Sequence, residues 1–246
     1  MSGPADLLID LGHSRLKWAL SRSGELEPGS IQAGPVEAPE ALFALIEQQR
    51  PGRVLWSPQG RADRMAELRH AFESLGLSCF AVTTGSLDLP VAPAYPALGS
   101  DRWLALQWPW QQSRRALCVI DCGTAVTVDA VDQGGRHLGG WIMAGLPTLG
   151  EGLARKAPRL PEPELEIEHA ERPARDSAAA IGGGFLLQLI GGVDAALERL
   201  DSILGEEFDC WLTGGNARLI GAGLRRPHEL DDHLVLRGLG LAGGQA

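Results

Sequence analysis

The stretch LLIDLGHSRLKWAL, residues 7–20, decides the fold, because LCVIDCGTAVTVDAV, residues 117–131, repeats its plan. In both, a short apolar run ends in Asp-x-Gly and turns straight back into a second apolar run. Each reads as a strand, a glycine-relaxed tight turn and a returning strand, with a carboxylate at the turn and hydroxyl or amine side chains just behind it. Asp10, Gly12, Ser14 and Lys17 mark the first copy; Asp121, Gly123, Thr124 and Thr127 mark the second. Alone, either copy is no more than a surface hairpin with common turn chemistry. Facing each other across a cleft, the two would bracket a polyphosphate: turn N–H groups and hydroxyls bind phosphate oxygens, and carboxylates hold the accompanying cations.

Composition narrows the classes. With 246 residues, 44% of them hydrophobic and 22% charged, the chain can bury a full core and is long enough for two lobes. Its 22 basic and 31 acidic residues give a formal charge of −9, which leaves no global basic field for nucleic acid or an anionic membrane surface. A nucleotide is still admissible if Mg²⁺, local cations and backbone dipoles supply positive potential inside a cleft. The start, MSGPADLLID, lacks the pattern of a secretory signal, and no apolar run approaches the ~18 residues of a membrane span. A cytoplasmic protein with neither a nucleic-acid nor a membrane partner is expected. Cys79, Cys118, Cys122 and Cys210 show no C-x-x-C spacing, and the six histidines form no H-x-x-x-H pair. Buried free thiols and no zinc site are the expectation.

Along residues 1–113, the expected N-terminal lobe, the first hairpin is followed by a helix over 39–49 and a strand over 53–57. A second helix over 61–75 and a strand over 78–83 come next. That β-α-β-α-β order predicts a mainly parallel sheet with covering helices. Pro90, Pro93 and Pro96 make 87–98 an extended loop that delivers Gly99-Ser100-Asp101-Arg102 to a Trp-rich helix. Residues 114–246, the expected C-terminal lobe, continue from the second hairpin into HLGGWIMAGLP, residues 137–147. Charge and proline make 151–175 read as a surface loop. The 177–204 stretch has helical periodicity despite Gly182, Gly183, Gly184, Gly191 and Gly192, each costing roughly 1 kcal/mol against alanine. Such a helix is expected to pack tightly on another backbone, in the core or across a dimer interface.

Three further segments carry candidate chemistry. Asp101 and Arg102 stand side by side where a loop enters a helix; taken alone they favour capping, but a kinase for a small carboxylate-bearing alcohol needs the same equipment, and the two roles can coexist. In such a kinase an Asp takes the acceptor proton and an Arg grips the carboxylate bidentately. Thr213-Gly214-Gly215-Asn216-Ala217 reads as a strand-to-helix turn where backbone can approach a phosphate or an adenosine. Lys17 could neutralise a β- or γ-phosphate.

Read in order, IDLGHSRLK, LGSDRW, IDCGTAVTVD, GGWIMAG, ARDSAAAI and LTGGNA resemble the type III pantothenate kinases, over most of the chain from Asp10 to the LVLRGL tail. The resemblance implies an α/β fold of two similar lobes of the actin-like ATPase (ribonuclease H-like) type, with an ATP cleft between them. It implies ATP-dependent phosphorylation of the primary hydroxyl of pantothenate, the first step toward coenzyme A. In that family's terms the phosphate-binding loop is Asp10, Leu11, Gly12, His13, Ser14, Arg15, Leu16 and Lys17, with Asp10 near Mg²⁺. Gly99, Ser100, Asp101 and Arg102 match the pantothenate-binding segment, Asp101 as proton acceptor and Arg102 at the substrate carboxylate, with Tyr95 and Ser177 as further substrate contacts. Asp121 matches the ligand of a monovalent cation, potassium or ammonium; Thr124 matches a second ATP contact, and Gly214 and Gly215 complete the nucleotide set. A homodimer is implied as well.

This chain departs from the family pattern at His13, where an Asn is usual, at Ala144, where a Pro is usual, and in the short spacing from Tyr95 to Gly99. Two rival readings remain open at this point: a kinase or phosphatase of the same fold for a sugar or another acid, and a non-enzymatic accessory protein of gene regulation. The kinase reading needs the carboxylates of Asp10, Asp101 and Asp121 around one nucleotide terminus.

Overall fold

The computed structural model describes residues 4–12, 15–59, 62–205 and 207–245. The chain forms two units, Met1–Ser113 with His233–Ala246, and Arg114–Asp232. The first unit holds β1 (Asp6–Leu11), β2 (Arg15–Arg22), β3 (Glu25–Leu26), β4 (Gln32–Pro35), α1 (Glu40–Gln49), β5 (Arg53–Pro58), α2 (Ala62–Ser74), β6 (Ser78–Ala81) and α3 (Ser100–Ser113). The second holds β7 (Leu117–Cys122), β8 (Ala125–Val131), β9 (His137–Ala144), α4 (Leu146–Lys156), α5 (Glu168–Glu171), α6 (Ser177–Leu204), β10 (Asp209–Thr213), α7 (Ala217–Gly221) and β11 (Glu229–Leu230). The last helix, α8 (Leu234–Gly243), returns to the first unit.

The first sheet runs β3-β2-β1-β5-β6, with β4 also on β2. It is mixed, not mainly parallel as the element order suggested: β1, β5 and β6 are parallel, but the turn at Gly12 folds β2 back, and β3 and β4 extend the antiparallel side. Side chains alternate across the pleat. Leu7, Ile9, Leu11, Leu16, Trp18, Leu20, Val54 and Trp56 pack on one face with Leu42, Leu45 and Ile46 of α1 and Leu68 and Phe72 of α2. The other face, carrying Leu8, Asp10, Lys17, Leu55 and Ser57, is the one left for α3 and α8, which meet β5 and β1.

The second sheet runs β11-β10-β7-β8-β9. Cys118, Ile120, Cys122, Val126, Val128, Cys210 and Leu212 form its core with Leu186, Leu189, Val193 and Leu197 of α6. By length and composition α6 could cross a membrane, but this burial marks it as a core helix. Its start is capped by Asp176, whose carboxylate accepts from the N–H of Ala179 at 3.0 Å. Two of its interior glycines do pack against backbone, here within the chain: a Cβ at Gly182 would stand 1.8 Å from the carbonyl oxygen of Glu164, and one at Gly183 2.1 Å from that of His169.

Two boundaries differ from the sequence reading. The stretch 151–175 is not all loop. Residues up to Lys156 belong to α4, which starts at a Gly145 N-cap with Pro147 in its first turn and ends on basic residues, a favourable helix frame that the charge count concealed. The tail after His233, expected in the second lobe, packs in the first unit, because α8 is apolar nearly all round and covers α3 and β1. Arg53 fastens it, bonding both oxygens of Asp6 at 2.8 and 3.0 Å and the carbonyl of Gly243 at 2.5 Å. Arg237 lies over the Trp108 ring, 4.5 Å from its centroid.

Candidate functional site

In the first unit the sheet register makes a polar row. Asp10, next to last in β1, pairs with Lys17 on antiparallel β2 and with Ser57 on parallel β5, and paired residues share a face. This row continues onto α3: the Ser57 hydroxyl lies 3.1 Å from the Ser100 hydroxyl, and the Gln59 side-chain amide donates to the same Ser100 oxygen. Asp10, Lys17, Ser100 and Asp101 are thus brought to one end of one sheet. Ser100 is only 3% exposed, and its hydroxyl is engaged by Ser57 and Gln59. Asp101 accepts from the N–H of Arg102 at 2.8 Å, and Arg102 donates to the Tyr95 hydroxyl at 3.2 Å, which ties the one tyrosine to the Gly99–Arg102 segment despite its short spacing.

The hairpin residues divide by function. Leu11 and Leu16 are fully buried against α1 and α2, so their side chains belong to the core. The Gly12 N–H donates to Arg15 at 3.0 Å and closes its own turn. His13 and Ser14 lie outside the described residues. Arg15 is exposed at the start of β2.

A matching row exists in the second unit. Asp121 pairs with Thr127 on antiparallel β8 and with Thr213 on parallel β10. Gly123 closes this turn by donating to Ala125 at 2.9 Å, and Thr124 is exposed at its tip. Gly145, the last glycine of GGWIMAG, sits on that tip: its N–H donates to the Thr124 carbonyl at 2.9 Å, and a Cβ there would be 2.2 Å from the Gly123 oxygen. Gly214 crosses over Asp121 with φ +94°, where a Cβ would come within 2.4 Å of the carboxylate. Gly215 beside it is exposed. Burial pushes the Cys122 thiol pKa up, with the Asp121 charge adding to it, so this neighbour stays neutral and puts no second negative charge beside the carboxylate. Burial and a hydrogen bond with Cys210 likewise push Cys118 up. Ser177 is exposed as the first residue of α6.

Asp10 and Asp101 therefore lie in one unit and Asp121 in the other. Sequence reasoning missed Ser57 and Gln59, and read Thr213 as the start of a ligand turn without its pairing beside Asp121. The only local sign of Ser57 is a small hydroxyl interrupting the apolar run VLWSP.

The model of the type III pantothenate kinase family matches residues 6–199. The chain belongs to that family. Type III pantothenate kinases from Ectopseudomonas mendocina and Herminiimonas arsenicoxydans are 33% and 34% identical to it. The first alignment covers 96% of this chain and 98% of the relative, the second 95% of each. Among solved structures, a conserved Baf family protein from Campylobacter jejuni matches with a TM-score of 0.62 at 16% identity over 94% of both chains. The ethanolamine utilization protein EutJ from Carboxydothermus hydrogenoformans matches with 0.54 at 13% identity, over 98% of this chain and 90% of that one. Such distant likenesses speak for the fold alone, which is α/β of the actin-like ATPase type with two sheets.

Proposed function

We propose that this chain is an ATP-dependent kinase that phosphorylates the primary hydroxyl of pantothenate to 4′-phosphopantothenate, the first step of coenzyme A biosynthesis. Its family membership supports the reaction. The observation that carries it is the row Lys17–Asp10–Ser57, which runs into Ser100 and Asp101 and so puts phosphate-type and acceptor-type residues on one sheet end. Asp101 orients the acceptor oxygen and takes its proton, while the Arg102 guanidinium holds the carboxylate of the substrate. Lys17 and the hairpin take up charge on the transferred phosphoryl; catalysis is mainly positioning and charge neutralisation.

Asp10 fits Mg²⁺, an ion usually held by one or two carboxylates plus phosphates and water. Among the described residues no group of three or more His, Cys, Asp or Glu could hold a metal. Bound at Asp10, Mg²⁺ would neutralise charge on the phosphate oxygens. Asp121, paired in register with the hydroxyl-bearing Thr127 and Thr213, would hold potassium or ammonium through its carboxylate. Thr124, Gly214 and Gly215 serve ATP, and Ser177 and Tyr95 serve pantothenate. A cytoplasmic homodimer without nucleic-acid or membrane partners completes the reading. Exposed Trp141 and Ile142 on edge strand β9 and exposed Leu187 on α6 are apolar surface that a second copy would cover.

The test is ADP release by the purified protein with Mg-ATP, with and without pantothenate and potassium. ADP that requires pantothenate and rises with potassium supports the reading; ADP release indifferent to pantothenate, or none, overturns it.

A further inference from the structure

Ser57, buried, and Gln59, half-buried, form a polar link between the strand that carries Asp10 and the helix that carries Asp101. Ser57 is fully buried, pairs with Asp10 in the sheet, and meets the Ser100 hydroxyl at 3.1 Å. Gln59 faces both ways: its backbone N–H donates to the Leu11 carbonyl at 3.2 Å, one residue before the first turn, while its side-chain amide donates to Ser100. A Cβ at Gly99 would lie 3.6 Å from the Gln59 side-chain oxygen and 2.6 Å from an Asp101 carboxylate oxygen, so the Gly99–Asp101 backbone lies close against this amide.

Packing alone does not call for these groups. Alanines at 57 and 100 would join β5 to α3 without the desolvation that two buried hydroxyls incur. Apolar contact is non-directional, whereas a chain of hydrogen bonds fixes distance and angle. In-line transfer needs the acceptor base held within about 0.5 Å of its productive place, and a displacement of 1 Å can cost about 10²-fold in rate.

We propose that Ser57 and Gln59 are positioning residues that hold the Gly99–Arg102 segment in register with Asp10, and so set the separation of the phosphoryl donor from the acceptor oxygen. This rests on the kinase reading above. Neither side chain needs to touch a substrate. Both act through Ser100.

The experiment measures kcat, KM for pantothenate, KM for ATP, and phosphopantothenate formed per ADP released, for wild type, Ser57→Ala, Gln59→Leu and each of these combined with Ser100→Ala. Melting temperature and circular dichroism are recorded alongside. Expected are a kcat lowered about 10- to 100-fold, a KM for ATP changed less than about twofold, and fewer than one product per ADP as misplaced acceptor lets water compete. In the Ser100→Ala background the two substitutions should add little, since all three remove one network. Unchanged kcat, or a loss of kcat that follows the melting temperature or is matched in KM for ATP, overturns the positioning role. Gln59 is only half-buried, so Gln59→Leu decides the matter if Ser57→Ala fails to fold. A wild type that releases no pantothenate-dependent ADP instead overturns the kinase reading itself.

Discussion

The rows Lys17–Asp10–Ser57 and Thr127–Asp121–Thr213 occupy the same register positions in two sheets of the same strand order, yet they are equipped differently. Lys17 stands seven positions after Asp10, and Thr127 six after Asp121, so the first turn is one residue longer. Beyond the parallel strand, the first row leads through Gln59 into α3, whereas the second bends sharply over its own carboxylate at Gly214. On the proposed reading, Lys17 and the longer turn would meet the charges of the phosphates, and the threonines paired beside Asp121 would suit one weak cation. Fold comes from what the copies share, and chemistry from where they differ.

That contrast can be broken by matched substitutions. Asp10→Asn and Asp101→Asn, both in the first unit, should each cut kcat by at least ~10²-fold; Asp101→Asn should keep nucleotide affinity, measured by calorimetry. Unaltered turnover in Asp101→Asn would remove it from the chemistry. Asp121→Asn should do less, about tenfold, and abolish stimulation by potassium, whereas Asp10→Asn leaves a potassium response in whatever activity remains. Equal potassium responses in the two variants would erase the difference between the rows. Gly214→Ala should lower stability by about 1–3 kcal/mol, because it places a Cβ at positive φ against Asp121; a thermal or urea melt reads this, and an unshifted midpoint contradicts the crossing.

The smallest effect lies in the next turns. Ser23 and Gly24, both at positive φ, turn β2 into β3, whereas Asp132 closes β8 to β9 with its carboxylate. Desolvation pushes the Asp132 pKa up, but N–H bonds from Arg136 and Gly134 and the Arg136 guanidinium outweigh it and hold the pKa below the ordinary carboxylate value. A folded pKa below the unfolded one means this contribution is complete above the unfolded carboxylate range and is lost as pH falls through the folded value. Asp132→Asn should therefore melt slightly lower than wild type near neutrality and converge with it in acid. Parallel melting curves from neutral pH into acid would contradict the assignment.

Much of this was legible locally. Both hairpins, the 177–204 helix and the loop-to-helix step at Ser100 follow from periodicity, turn glycines and prolines, all of which act within a few residues. The family motifs named residues on both rows for the same reason. The Ser57–Ser100 link spans 43 positions and Arg53 to Gly243 spans 190, and no local pattern encodes either. The return of α8 to the first unit escaped too, since an apolar tail states that it will be buried but not against what. Charge and proline in 151–175 masked the end of α4, where basic residues at a helix C-terminus are favourable rather than loop-forming.

Product formation from pantothenate and Mg-ATP, followed across potassium concentrations for wild type, Asp10→Asn and Asp121→Asn, tests the division of labour most directly. The account predicts pantothenate-dependent, potassium-stimulated turnover in wild type, near-loss of turnover in Asp10→Asn, and reduced, potassium-blind turnover in Asp121→Asn. Wild-type activity with both variants showing the same rate and the same potassium response would contradict it.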